Sequence, residues 1–189
     1  ALPRRFKEAG YDTMAVHGGD LTIFHKGEYY LTVGHDRVVG DKDLPKGLPS
    51  GKWGIHDGAV LDWIYDDIMD KTSKGRRWYT TFQTLSSHEP WIVPYTRLKD
   101  DEIANTFAYV DDAIGRFVDR LKKTPAWDSL LIVITGDHGC NTGQHLPADR
   151  YAHIPLLMTG GAVKAPRRID TIMSQTDTAA TLLGQLGIS

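Results

Sequence analysis

Cysteine is almost absent from this chain. Cys140 stands alone, so no disulfide can form within the chain and no thiolate metal cluster can be built. One thiol fits cytoplasm and periplasm alike, and the redox compartment stays open. Long hydrophobic runs are missing too. No stretch of about 18 apolar residues occurs, and nothing near Ala1 has the layout of a signal peptide. A surplus of one charge is also lacking. The net charge is −2, with no basic run and no aromatic-interleaved basic stripe, so there is no field to draw in a nucleic-acid backbone. A nucleotide-phosphate loop of the Gly-x-x-x-x-Gly-Lys-Ser/Thr type is absent, which argues against a kinase or nucleotide-binding protein. Neither repeats nor low-complexity segments occur. There is no starter methionine, and the abrupt opening at Ala1 is what a piece cut from a longer, membrane-anchored parent would show.

What is present is the composition of a soluble folded protein, 41% hydrophobic and 24% charged over 189 residues. That length suits one domain or a large part of one. Residues 3–9 read as a short amphipathic helix ending at Gly10. Residues 11–19 read as a short apolar strand closed by paired glycines. Residues 21–34 are mixed, and their aromatics suit a segment covering a pocket. Residues 34–52 read as loop. Apolar residues at 60, 61, 64 and 68 have helical spacing within 56–71, with Asp57 available as an N-cap. Residues 76–85, β-branched and aromatic, read as a buried strand, and Ser86–Trp91 is the loop at its end. Asp100 or Asp101 caps a long helix to about Lys123. Residues 129–136 form the clearest core strand, apolar without alternation, which implies a sheet covered on both faces. Residues 137–153 are the loop beyond it, 154–160 another buried strand, and 177–188 a final helix. Strands alternating with helices predict an α/β fold with a mainly parallel sheet flanked by helices. The expected arrangement has 129–136 at the centre and the 101–123 helix on one face.

Chemistry-bearing residues gather at the strand exits, where open α/β sheets bind ligands. Asp137 and His138 follow the most hydrophobic strand. A carboxylate oxygen and an imidazole nitrogen together suit Zn²⁺ or Mn²⁺. The same two residues also read as a capping Asp and a loop His bonded to backbone. His88 reads either as a donor to a phosphate or sulfate, or as a loop histidine held by Glu89 or the backbone. His17 precedes Gly18 and Gly19, where backbone can approach a ligand closely, and it too has a purely structural alternative. His145 and His153 read mainly as loop or packing residues.

At Leu130–Gly139 the sequence "LLIVITGDHG" resembles the alkaline phosphatase/sulfatase superfamily, in which a buried strand ends in Asp-His-Gly. More narrowly, the chain is similar to lipoteichoic acid synthases and related phosphoglycerol transferases over nearly its whole length. The segments carrying this are "GYDTMAVHGGDLTIF", "WGIHDGAVLDWIYDDI", "TLSSHEPW", "IANTFAYVDDAIGRFVDRLKK", "AHIPLLMTG" and "SQTDTAATLLGQLGI". The resemblance implies an alkaline-phosphatase-like partial domain, residues 1–189 being the C-terminal portion of a sulfatase-like catalytic domain. It implies that Asp137 and His138 are two ligands of a divalent ion, Mn or Zn, in a shell left incomplete by this chain. His88 would contact the substrate phosphate, with His17 in the same pocket near a glycerol-phosphate headgroup. Phe24 falls where the family has a pocket tryptophan, and Lys26 where it has arginine. Phe loses the indole N–H, and Lys loses the bidentate fork.

The family nucleophile, a Thr, Ser or formylglycine, lies upstream of the equivalent of His17, and neither Thr13 nor the Thr80–Thr81 pair matches it. The implied parent is a metal-dependent transferase or hydrolase of phosphate or sulfate esters, lipid- or glycan-linked, working through a covalent intermediate. It would be held in the cell membrane by an upstream region with this domain outside the cytoplasm, and the isolated chain would be inactive. A non-catalytic sulfatase-like binding or structural domain is the alternative class.

Overall fold

The computed structural model describes residues 1–139 and 147–188. It divides into two compact units, Ala1–Phe117 with Asp170–Ser189, and Val118–Ile169.

In the first unit, helix α1 (Leu2–Glu8) opens with Pro3 in its first turn, where the missing N–H costs nothing, and closes with Arg5 and Lys7 near its carbonyl end. Strand β1 (Asp12–His17) follows, with every residue from Thr13 onward buried. The cause is its position. It runs parallel between β2 (Arg37–Val39) and β5 (Trp78–Gln83), in the order β2-β1-β5. Central parallel strands are covered on both faces, and Met14, Ala15 and Val16 supply apolar side chains to both. Phe6 of α1 stacks on Tyr79 of β5 at 4.4 Å. Between β1 and β2 lie a 3-10 turn at Ile23–His25 and helix α2 (Lys26–Val33). Strands β3 (Ser50–Gly51) and β4 (Gly54–Ile55) form a small hairpin before helix α3 (Asp57–Ser73). Helix α3 buries Val60, Leu61, Ile64 and Ile68, the stripe that the sequence spacing marks.

Helix α4 (Glu102–Leu121) crosses the division between the units. Its cap is Asp101, whose carboxylate accepts the Ala104 N–H at 2.9 Å. Two turns into it, Tyr109 meets α3, its hydroxyl accepting the Gly58 N–H at 3.1 Å. The second unit holds β6 (Ile132–Thr135), the short helix α5 (Ala148–Tyr151) and β7 (Leu156–Thr159). Helix α6 (Asp177–Leu186) returns to the first unit.

The α/β class and the parallel sheet flanked by helices stand as expected, but the centre of that sheet is β1. Strand β6 instead pairs antiparallel with β7, in a sheet of two, and its residues are half-buried or exposed. An unbroken apolar run states what a strand avoids, water, and not which strand it pairs with. Strand β2 falls inside what reads as loop, because three residues between Asp36 and Gly40 are too few to show a period. Helix α3 is capped by extended His56 and not by Asp57, whose carboxylate is engaged elsewhere.

Candidate functional site

Parallel pairing puts the C-terminal ends of β1 and β5 at one edge, with His17 directly opposite Gln83. His17 is only 5% exposed. Its Nδ1 lies 3.1 Å from the Gln83 carbonyl, and its Nε2 lies 3.0 Å from the Lys26 ammonium. A carbonyl only accepts and an ammonium only donates, so one tautomer satisfies both: Nδ1 carries the proton and Nε2 offers its lone pair. Burial pushes the imidazole pKa down, and the Lys26 charge acts in the same direction, against the Gln83 bond. His17 is thus a neutral acceptor that orients a cation.

Lys26 begins α2, immediately after two residues with positive φ, Phe24 at 56° and His25 at 54°. A left-handed backbone costs a non-glycine residue about 1–2 kcal/mol. Trp91, at 62°, is the remaining non-glycine residue of this kind among the described residues. All three flank the candidate residues, as strained backbone does around ligand clamps. Phe24 is 86% exposed.

His88 sits in the loop beyond β5 and is exposed. Its ring is edge-on to Trp53 at 6.1 Å and stacked with Trp91 at 6.5 Å. Nδ1 lies 3.3 Å from the Glu89 carbonyl, the backbone contact foreseen as its alternative reading. Beside Trp53 opens a cleft of about 680 Å³ lined by Asp20, Lys42, Lys46 and Lys52 among others.

Sequence reading missed Asp57 as part of this region. It is fully buried. Its carboxylate accepts the N–H of Leu85 at 3.0 Å and of Ser86 at 2.8 Å, while its own N–H donates to Ser86 Oγ at 2.9 Å. Burial raises its pKa despite these bonds. Its partners are backbone groups 28 and 29 residues away, so no local pattern marks it.

In the second unit, Asp137 and His138 follow β6 and are 74% and 65% exposed. Asp137 Oδ1 accepts the His138 N–H at 3.0 Å, and His138 Nδ1 donates to the Gly139 carbonyl at 2.7 Å. These are the capping and backbone bonds of the alternative reading. They are equally the outer bonds that orient a ligating histidine, because they leave Nε2 as the unprotonated nitrogen, 3.7 Å from Asp137 Oδ2. One carboxylate and one imidazole fit a divalent ion chemically. Among the described residues no group of three potential ligands gathers. His153 is exposed, with its N–H on the Arg150 carbonyl. His145 lies outside the described residues.

A parallel α/β sheet with polar residues at its C-terminal edge, flanked by helices, is the layout of alkaline-phosphatase-like domains. The sequence profile of the sulfatase family matches residues 1–188, and the chain belongs to that family. It is similar to phosphoglycerol transferase I of Xanthomonas campestris pv. campestris, with 27% identity covering 94% of this chain and 27% of that protein. A solved alkaline phosphatase superfamily protein from Vibrio parahaemolyticus superposes with a TM-score of 0.87 and 27% identity, covering 98% of this chain and 47% of its own. The lipoteichoic acid synthase LtaP from Listeria monocytogenes superposes with a TM-score of 0.86 at 23% identity, covering all of this chain and 53% of its own. The chain thus spans about a quarter of that curated relative and about half of each solved chain.

Proposed function

We propose that this chain is the headgroup-holding part of a phosphoglycerol-transferase-like enzyme acting on phosphate esters. The observation that carries the reading is the His17–Lys26 pair at the C-terminal edge of the parallel sheet. A buried neutral imidazole fixes an ammonium where an anion would arrive, and the cation needs no reorganisation when charge builds on a phosphoryl oxygen. His88, exposed on the neighbouring loop between two indoles, donates to a second oxygen. Phe24 packs against the glycerol carbons, and the lysine-bearing cleft beside Trp53 accepts the rest of the substrate. The nucleophilic hydroxyl belongs to a segment of the intact enzyme upstream of His17. It attacks phosphorus, forms a covalent phosphoenzyme and expels the first alcohol, and a second alcohol then takes up the phosphoryl group. Asp137 and His138 would be two of the donors for a divalent ion, Mn or Zn, whose chemistry when bound would be to supply positive charge and to lower the pKa of a hydroxyl. No helix among the described residues is long and apolar enough to cross a membrane. The likeness to phosphoglycerol transferases supports a domain working outside the cytoplasm on a membrane-held parent.

The test is calorimetric titration of sn-glycerol-1-phosphate into the chain, then into Lys26→Gln. Millimolar binding weakened about tenfold by the substitution, the loss of one charge-assisted bond, is the expected result. Equal binding by Lys26→Gln rejects the headgroup assignment. In parallel, Mn²⁺ binding should be lost in Asp137→Ala and in His138→Ala.

A further inference from the structure

Between the two strand exits runs a five-residue segment, Trp53–Asp57. It touches both exits. On the β1 side, the Ile55 N–H donates to the Gly18 carbonyl at 2.8 Å, and Gly19 and Gly54 form an isolated antiparallel bridge. Gly54 has a φ of 142°, and a Cβ there would collide with the Gly18 carbonyl. Only glycine lets the segment lie this close to the residues that follow His17.

On the β5 side the grip comes from side chains. Asp57 accepts the N–H groups of Leu85 and Ser86, and its N–H donates to Ser86 Oγ. Trp53 Nε1–H donates to the Glu89 carbonyl. The loop carrying His88 is therefore held at residues 85–86 and again at 89, both times by this segment. Between those anchors lie only Ser87 and His88, and Trp53 also presents its ring edge to the His88 imidazole. A carboxylate that is fully buried and bonded to backbone of another element is costly to place unless every bond is made. Its bonds therefore fix a single position for the Leu85–Ser86 backbone.

We infer that the Trp53–Asp57 segment is a bracket that sets the position of His88 relative to His17, with Asp57 the positioning residue for His88. The inference rests on the proposed headgroup site for its consequence in binding, but not for its structural content. Asp57 touches no ligand in it. Its carboxylate acts through the backbone at 85–86, and the Trp53 indole through the carbonyl at 89.

The experiment uses the isotopically labelled 189-residue chain and two readouts. The first is the set of NMR cross-relaxation contacts from the His88 ring to the Trp53 and Trp91 rings. The second is affinity for sn-glycerol-1-phosphate. In Asp57→Asn, the amide group turns donors toward backbone donors. The His88 contacts should disappear and affinity should fall about tenfold, one charge-assisted bond misplaced. The His17 ring signals, anchored by Gln83 and Lys26, should stay where they are. Trp53→Phe keeps an aromatic ring but removes the N–H. It should erase the His88–Trp91 contact in the same way, and it carries the test if Asp57→Asn does not fold. Ile68→Ala, a buried truncation elsewhere on α3, serves as the control for general destabilisation and should leave His88 unmoved. His88 contacts that persist in both variants overturn the bracket. So does displacement of His88 by Ile68→Ala, whereas an affinity that survives loss of the contacts rejects the role of His88 in headgroup binding and leaves the bracket standing. A wild-type chain that ignores sn-glycerol-1-phosphate while its His88 contacts still depend on Asp57 and Trp53 supports the bracket and rejects the headgroup reading instead.

Discussion

The two candidate halves of chemistry in this chain are built in opposite ways. At the end of β1, His17 is 5% exposed, its tautomer fixed by Gln83 and Lys26. Beyond β6, Asp137 and His138 are 74% and 65% exposed and bonded to their own backbone neighbours. The difference starts with the strands. β1 has a parallel partner on each side and a sealed interior, whereas β6 has one antiparallel partner and half-buried side chains. A site residue inherits the rigidity of the strand that delivers it. The histidine end is organised in advance of any ligand, and the aspartate–histidine pair offers donors whose outer bonds are set but whose surroundings are open to water.

Equivalent truncations in the two strands probe this contrast most strongly. Met14 is 1% exposed in β1, so Met14→Ala removes a thioether side chain from a packed interior and should cost about 2–5 kcal/mol. Ile134→Ala in half-buried β6 gives up less area and leaves no enclosed cavity, and should cost about 1–2 kcal/mol. Urea denaturation of both variants measures the pair. Equal losses would mean that β6 is as deeply embedded as β1, and the contrast would fail.

Acid should act on the first unit through its buried histidines. His17, His35 and His56 are all buried, and burial lowers the pKa of each. The native state resists protons that the unfolded chain takes up near pH 6.5. Stability from these groups is therefore complete above that pH and declines as pH falls from about 6.5 toward their folded pKa values. The slope approaches about 1.4 kcal/mol per pH unit for each histidine. The carboxyl of Asp57 works in the opposite sense at lower pH, since its folded pKa is raised and protonation relieves it. Unfolding free energies from urea denaturation at pH 7.5 and 5.5 should differ by about 1–3 kcal/mol. Replacing His35, which is bonded to Tyr30 and Thr81 away from the candidate ligand residues, should flatten part of that dependence. An unchanged pH profile in His35→Gln would remove it from the account.

How much of this was legible in the residues follows from the range of each interaction. The α3 stripe at 60, 61, 64 and 68 and the Asp101 cap are local, and the sequence displays them openly. The strand at β1 is readable because its burial is continuous. The partner of β6 is not, because antiparallel and parallel pairing leave the same apolar run. Asp57 looked like a helix cap because its position is local, while its actual partners lie 28 and 29 residues away. His17 was visible as a candidate from its glycines, but its tautomer depends on Gln83, 66 residues distant. The family resemblance supplied the positions of Phe24 and Lys26. Neither spacing nor composition could have paired Lys26 with His17.

The finest distinction concerns backbone strain, which among the described non-glycine residues appears only in the first unit. Phe24 holds a φ of 56° with its ring 86% exposed. So exposed a side chain contributes little burial, and its left-handed backbone costs about 1–2 kcal/mol. Glycine would relieve that cost but adds about 0.5–1 kcal/mol of unfolded-state entropy. The balance predicts that Phe24→Gly stabilises the free chain by about 0.5 kcal/mol. The same change removes the surface proposed to pack on glycerol and loosens the entry to Lys26, so affinity for sn-glycerol-1-phosphate should drop about threefold. Stability and binding then move in opposite directions, which a residue with a purely architectural role would not produce. If Phe24→Gly instead lowers the denaturation midpoint, the ring supports the fold, and the left-handed turn is held for packing and not for a ligand.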